Sequence, residues 1–259
     1  MNLNLQGKTA IITGAAQGMG LATAKILCEY GCNVMMTDIQ LEKLEEACSE
    51  IASNNVAFKA ANVSDSADVE ALINSTIEKF GSIDILVNSA GIITSALITE
   101  LDEAVFDKVI SVNCKGVFLT CQAVARHMIE KGIQGRIVNV ASQSGRCGEA
   151  SNGVYCASKA MVISLTQTLC LELGQYGITV NSVCPGMTDT AMIRKVFDTR
   201  APIMGVTPEE LEKIYLKNVP LGRMAQDWEI GELIAFLCSD KARFITGESI
   251  LITGGQTIV

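Results

Sequence analysis

The sequence predicts a doubly wound α/β fold, a single domain over residues 1–259 built on a central parallel sheet of about seven strands. Three observations predict it. Short apolar runs of strand length alternate with amphipathic helical stretches along the whole chain, the order that a parallel sheet covered by helices on both faces requires. A glycine-rich turn separates the first strand from the first helix. Hydrophobic residues make up 49% of the chain and charged ones only 19%, a balance suited to strands buried on both sides.

Composition also excludes several classes. A formal net charge of −8 without a basic block argues against a surface that tracks nucleic-acid phosphates. No run approaches the eighteen or so apolar residues of a membrane span, and residues 1–8 lack a basic segment followed by an apolar one, so a cytoplasmic protein with no membrane partner is expected. The ten cysteines, scattered and without a C-x-x-C pair, read as free thiols. The one histidine, His127, falls in a helical stretch and reads as structural or surface; no metal site is expected.

Each element has its own justification. Residues 8–14 read as the first strand and 15–30 as the turn and helix after it. Gly14, Gly18 and Gly20, spaced G-x-x-x-G-x-G, leave out Cβ atoms so that backbone, together with Gln17 and Met19, can approach a pyrophosphate at the helix N-terminus in a Rossmann-like first half. Strand 32–38 ends in Asp38, about twenty residues beyond the turn. A carboxylate there accepts from ribose hydroxyls and repels a 2′-phosphate, and Ala15, Ala16, Gln17, Ile39 and Gln40 around it supply no cation. NAD is therefore the expected cofactor. An amphipathic helix over 41–52 leads to strand 55–60 and to Asn62-Val63; helix 65–80, closed by Gly81, precedes strand 83–88.

Thr99 reads as the N-cap of a helical region reaching Ile129. Strand 136–141 ends at Ser142, and a long helix carries Tyr155 onward to about Tyr176. Strand 178–183 is broken by Pro185 and Gly186 at the carboxyl edge of the sheet, where ligands bind in open α/β sheets. Between 187 and 220 the pattern loosens into a stretch over 191–200, a turn over 201–206 and a capped helix opening at Thr207-Pro208-Glu209-Glu210; such an insertion suits a substrate lid that excludes water. Helix 226–238 and strand 249–253 complete the pattern.

The chemistry centres on Ser142, Tyr155 and Lys159. Tyr155 and Lys159 are four apart, so they share a helix face, and an ammonium beneath a phenol lowers its pKa from about 10 toward neutral pH. Ser142 is placed to hydrogen-bond a substrate oxygen held against Tyr155. In combination with the glycine turn, these motifs resemble the short-chain dehydrogenase/reductase family from Lys8 to about Gly255. The resemblance implies hydride transfer between a secondary alcohol or its ketone and a nicotinamide cofactor, with Tyr155 moving the proton, Ser142 holding the oxygen, and Lys159 also binding the nicotinamide ribose. It implies that Asn113, in Asn113-Cys114-Lys115-Gly116, kinks its helix and holds a water that relays protons to Lys159.

It further implies cofactor contacts at Asn62 and Val63 beside adenine, where Asn62 replaces the family's usual aspartate and keeps the contact as an amide carbonyl. Asn88, Ala90 and Gly91 are implied at the cofactor too, the small residues letting their turn pass close to a ribose while Asn88 ties neighbouring strands, with Ser89 departing from the family's Asn-Asn-Ala-Gly turn. Pro185, Gly186, Thr188 and Thr190 face the nicotinamide. A homotetramer, paired through the helices carrying Asn113 and Tyr155, is implied as well.

Residues 141–149, 154–159 and 162–167 look like those of the family's polyol dehydrogenases. Gln143, Ser144, Glu149 and Asn152 add donors and acceptors beside Ser142, which suits a small poly-hydroxylated substrate such as sorbitol. Only Arg146 supplies a cation in the 141–154 loop, favouring an unphosphorylated polyol, while Arg194, Lys195 and Arg200 in the lid stand available for a phosphate. The alternatives are a hydroxysteroid dehydrogenase or 3-oxoacyl reductase of the same family and, from another class, a non-catalytic NAD-sensing protein. The sensor has no need of Asn113, Ser142, Tyr155 and Lys159 together.

Overall fold

The structure is a computed structural model that describes residues 3–51 and 53–258. Its strands are β1 (Thr9–Thr13), β2 (Asn33–Thr37), β3 (Val56–Phe58), β4 (Ile85–Asn88), β5 (Arg136–Val140), β6 (Thr179–Pro185) and β7 (Ser249–Ile252). They form one seven-stranded sheet in the order 3-2-1-4-5-6-7, parallel throughout. Successive side chains of a strand point to opposite faces, and here each face has its own core. Ile12, Val34, Val87 and Val138 pack with α1 (Gly18–Glu29), α2 (Leu41–Glu50) and α9 (Asp227–Cys238); Ile11, Met35, Leu86, Ile137 and Val180 pack with α3 (Ser66–Phe80), α5 (Gly116–Lys131) and α6 (Gly153–Leu173). The apolar runs of β1, β4 and β6 are thus buried at every position. Strand order reverses between β1 and β4, and that switch opens a crevice at the strands' carboxyl ends.

Local signals account for most boundaries. Asp65 caps α3 by accepting from the amides of Ala67 and Asp68, and Gly81 closes it at φ 87°. Thr207 and Glu210 form a reciprocal capping box at α8 (Pro208–Leu216), with Pro208 at its first position. The helix expected over 41–52 ends at Glu50, and Ala52 lies outside the described residues, as do Met1, Asn2 and Val259.

Four expectations are corrected. Thr99 does not cap the helical region: it sits in a 3-10 turn, Ile98–Glu100, and extended backbone at Leu101 and Asp102 separates that turn from α4 (Glu103–Ile110). β6 does not break before Pro185 but includes it, because a proline at the last position of a strand gives up no further ladder bond. α7 (Ala191–Met204) runs into the expected turn at 201–206, with Pro202 inside it, and ends only at Gly205. Burial of Phe197 and Ala201 with Leu211, Val219 and Met224 in a separate small core outweighs the one hydrogen bond that Pro202 forfeits near the helix end. Finally, one helical stretch, Gly153–Tyr176, is long and apolar enough by composition to cross a membrane. Val154, Val162, Ile163 and Leu173 of α6 are buried within the fold, which accounts for its apolar character.

Candidate active site

Two cavities open at the carboxyl edge of the sheet and meet at Met19, Thr190 and Met192, which line both. The first, about 570 Å³, is walled by Gly14, Gln17, Gly18, Met19, Gly20, Asp38, Ile39, Asn62, Val63, Ala90 and Gly91. The second, about 680 Å³, is walled by Ser142, Ser144, Glu149, Asn152, Tyr155, Pro185, Gly186 and Thr188, and by α7.

The first cavity exists because side chains are missing. Gly14 has φ +65°, and a Cβ there would stand 2.7 Å from the Ala90 backbone; a Cβ on Gly20 would collide with the Gly14 carbonyl. No side chain caps the start of α1, so its leading amides are open to an anion. At the tip of β2, Asp38 accepts from the Gln40 amide at 3.0 Å and the Ala16 amide at 3.3 Å, which fixes the carboxylate and leaves lone pairs for ribose hydroxyls. The residues therefore fit a nicotinamide dinucleotide.

Asn62 departs from expectation. Its Oδ1 accepts from both the amide and the hydroxyl of Ser64, at 3.1 and 2.8 Å. The carbonyl is turned inward, and Nδ2 is the polar atom left for a ligand. Asn88 is not on the wall. It is buried, donates to Asn139 at 2.9 Å and accepts from Thr120 at 2.8 Å, so it ties β4 to β5 and α5 beneath the Ser89-Ala90-Gly91 turn.

Ser142 follows the 136–140 strand, and its Oγ accepts from the Ser144 amide at 3.1 Å. Tyr155, in the first turn of α6, is half-buried at the cavity. Lys159 lies one turn on, fully covered, with Nζ 5.7 Å from the Tyr155 ring centre and donating to the Val140 carbonyl at 2.8 Å. The pair is thus assembled, yet its electrostatics reverse the expectation. Burial pushes the Tyr155 phenol up to about 12; the Ser142 hydroxyl opposes this and the Glu149 carboxylate adds to it. Burial likewise lowers the Lys159 ammonium to about 8. A helix face brings the two side chains together, but desolvation is the largest influence on each.

Asn113 sits in a π-helical turn, Ser111–Lys115, between α4 and α5, so the expected kink is a π-bulge. Its side chain is committed: Oδ1 accepts from the Ile92 amide at 2.8 Å, and Nδ2 donates to the Ile92 carbonyl at 2.9 Å and to Ser158 at 3.0 Å. A Cβ built on Gly91 would lie 3.4 Å from Asn113 Oδ1 and 3.5 Å from Lys159 Nζ. The Asn113 side chain accordingly clamps the Gly91-Ile92 segment beside the lysine.

Ser144, Glu149 and Asn152 converge as expected but on one another. Glu149 accepts from Ser144 at 2.6 Å and from Asn152 at 3.0 Å. Arg200 of α7 reaches the same carboxylate at 3.5 Å, donates to the Ala150 carbonyl at 3.0 Å and lies over the Tyr215 ring at 5.5 Å. Sequence reasoning missed Lys108 on the first cavity, and Tyr215, Asn218, Gln256 and Thr257 on the second. Lys108 stands in the last turn of α4, just before the π-bulge, and only knowledge of how that bulge turns the helix would have pointed to it. The others carry no local signal.

Comparison with known proteins agrees with this geometry. A family model described as enoyl-(acyl carrier protein) reductase matches residues 14–257. Sorbitol dehydrogenase of Cereibacter sphaeroides is 38% identical over 254 residues, covering 98% of this chain and 99% of that one. The 3-oxoacyl-(acyl-carrier-protein) reductase FabG of Thermotoga maritima is also 38% identical, over 258 residues, covering 99% and 100%. The crystal structure of sorbitol-6-phosphate 2-dehydrogenase SrlD from Erwinia amylovora superposes with a TM-score of 0.91 at 35% identity, covering 96% of this chain and 100% of that one. Fold and site together define a nicotinamide-dependent oxidoreductase. The chain belongs to the short-chain dehydrogenase/reductase family.

Proposed function

We propose that this chain interconverts an unphosphorylated sugar alcohol such as sorbitol with its ketose, using NAD. The observation that carries the reading is the state of the cavity's charges. Glu149 is answered by Ser144, Asn152 and Arg200, leaving a polar wall with no cation to spare. Arg194 is engaged by Asp189 and Glu212, and Lys195 does not line the cavity. A wall of paired donors and acceptors suits neutral hydroxyls; a phosphate would have to break the Glu149–Arg200 contact.

The cofactor supplies a hydride acceptor or donor in the first cavity. Ser142 holds the substrate oxygen, and Tyr155 passes a proton to it or takes one from it. With its pKa near 12, the phenol keeps its proton at neutral pH and is set to donate to a ketone oxygen, so alcohol oxidation should accelerate as pH rises. Lys159 and Asn113 position Tyr155 and the Gly91-Ile92 segment. Support for NAD over NADP comes from Asp38; Lys108, the cation on that cavity's wall, forms no ion pair with it among the described residues. The described cysteines are all unpaired, which suits a cytoplasmic compartment. Exposed Phe118, Met161 and Leu171 on α5 and α6 support pairing of those helices in a homotetramer, which light scattering would test.

The 38% identity to a 3-oxoacyl reductase, equal to that with sorbitol dehydrogenase, makes acyl reduction the second reading. The deciding experiment is a kcat/KM panel of polyols, polyol phosphates, hydroxysteroids and 3-hydroxyacyl thioesters with both cofactors. Free polyols with NAD are expected to lead; a thioester or steroid far above every polyol would overturn the substrate, and preference for NADP would overturn the role of Asp38.

A further inference from the structure

The residue after Ser142 is held by the far end of the chain. Gln143 lines the substrate cavity; its Oε1 accepts from the Thr257 hydroxyl at 2.9 Å, and its Nε2 donates to Gln256 Oε1 at 3.0 Å. Gln256 and Thr257 line the same cavity. The tail is itself tied down: the Gln256 amide donates to the Thr253 carbonyl at 3.2 Å, and Thr253 exchanges bonds with Thr257 at 3.3 and 3.4 Å. The loop is tied to β7, the strand that leads into the tail, since Arg146 donates to the Ser249 carbonyl at 2.7 Å. Gly186 closes in from the side, where a Cβ would stand 3.3 Å from Gln143 Oε1.

An amide gripped at both ends cannot rotate. Gln143 keeps one lone pair and one N–H beyond the tail contacts, and Gln256 keeps its own N–H pair. This fixed acceptor and donor adjoin the serine that holds the reacting oxygen. The substrate atom they meet is the neighbouring oxygen, and a hydroxyl both donates and accepts. Elsewhere on the lining, Ile193, Val196 and Phe197 offer a hydroxyl nothing.

We propose that Gln256 and Thr257, acting through Gln143, make the enzyme select a second hydroxyl on the carbon next to the reacting carbinol. This rests on the assignment of Ser142 and Tyr155 as the reacting centre, and it makes the C-terminal tail a specificity-determining element of the site.

The test compares kcat/KM for 2,3-butanediol and 2-butanol, which differ by that one hydroxyl, in the wild type, in the Gln256→Leu/Thr257→Val double variant, in Thr257→Ser and in Gln143→Met. The wild type should favour the diol. The double variant should lower the diol-to-mono-ol ratio about 3- to 10-fold, the worth of one or two neutral hydrogen bonds, and Thr257→Ser, which keeps the hydroxyl, should retain the wild-type ratio. A general loss of packing would move both alcohols together and leave the ratio alone. Gln143→Met leaves the tail's own residues and their bonds to Thr253 in place and must collapse the ratio to the same degree, so a tail variant that fails to fold does not protect the idea. An unchanged ratio in Gln143→Met, or a wild type without preference for the diol, overturns it. Failure of the polyol reading is seen separately, as poor turnover of sorbitol-class compounds alongside a ratio that still responds to Gln143.

Discussion

The two cavities that meet at Thr190 are built by opposite means. The cofactor cavity is made by omission: Gly14, Gly18, Gly20 and Gly91 clear its wall, and much of its recognition falls to backbone amides fixed by the fold. The substrate cavity is made by addition. Ser144, Glu149, Asn152, Arg200, Gln143, Gln256 and Thr257 fill its wall with polar side chains that satisfy one another. An omission tolerates no new atom, whereas a network of pairs can lose a member and reorganise. The first region should therefore fail abruptly under substitution and the second by degrees, with Tyr155, which serves the reaction itself, outside both patterns.

Tyr155→Phe should have the largest effect, a fall in kcat of about 10²–10⁴, with cofactor binding followed by fluorescence titration as the control. Near-normal turnover with the cofactor bound would remove Tyr155 from the chemistry. Gly14→Ala comes next. A non-glycine residue at φ +65° costs about 1–3 kcal/mol, and its Cβ would press on the Ala90 backbone. Both the thermal midpoint and cofactor affinity should drop, the affinity by about tenfold or more. A Gly14→Ala enzyme that binds cofactor normally would break the contrast between the two regions.

That contrast also explains what could be read from the chain. Omissions are local: the glycines lie within a few residues of one another and Asp38 ends the next strand, so this cavity was legible almost whole. The exceptions are Lys108, brought to the wall from the end of α4, Asn88, buried behind it, and Asn62, whose oxygen is captured by Ser64 two residues on, a competition that its position beside Val63 does not reveal. Paired walls are nonlocal. Ser144, Glu149 and Asn152 could be named as polar, but not their mutual satisfaction, nor the reach of Arg200 across 51 positions or of Thr257 across 114. Spacing brought Tyr155 and Lys159 together correctly, yet their pKa directions depend on how deeply the fold buries both, which no i,i+4 rule contains. The same limit applies to α7, whose extension through Pro202 follows from a small core assembled from α8 and residues beyond it.

Burial of that pair gives a pH signature. Lys159 is lowered from 10.5 to about 8, so between these values the unfolded chain binds the proton that the folded one has released. Stability should rise with pH across about 8 to 10.5, by on the order of 2 kcal/mol. Tyr155 is raised from 10.0 to about 12; there the folded state holds the extra proton, and stability should fall as pH climbs from about 10 to 12. Thermal midpoints of the wild type and Lys159→Met, measured across pH 7 to 11, check the sign. The variant should lose the rise, and a wild type that loses stability steadily from pH 8 would mean that the lysine is not desolvated as described.

The smallest effect is expected at Arg194, and it bears on whether the outer face of α7 belongs to the substrate cavity at all. Arg194 joins Asp189 at 2.8 Å to Glu212 on α8 at 2.7 Å, with its side chain 48% exposed. Solvent screens such pairs, and each is worth about 0.2–1 kcal/mol. Arg194→Ala should therefore lower the thermal midpoint slightly, more at low salt than at high, and leave the ratio of kcat/KM for sorbitol and sorbitol 6-phosphate where it was. Arg194 does not line the cavity, whereas Arg200, six residues on, does. If Arg194→Ala instead cut turnover of the phosphorylated substrate alone, the helix would have to rotate its outer cations inward on binding. The substrate wall would then be assembled by the ligand, in place of the side-chain pairs that close it here.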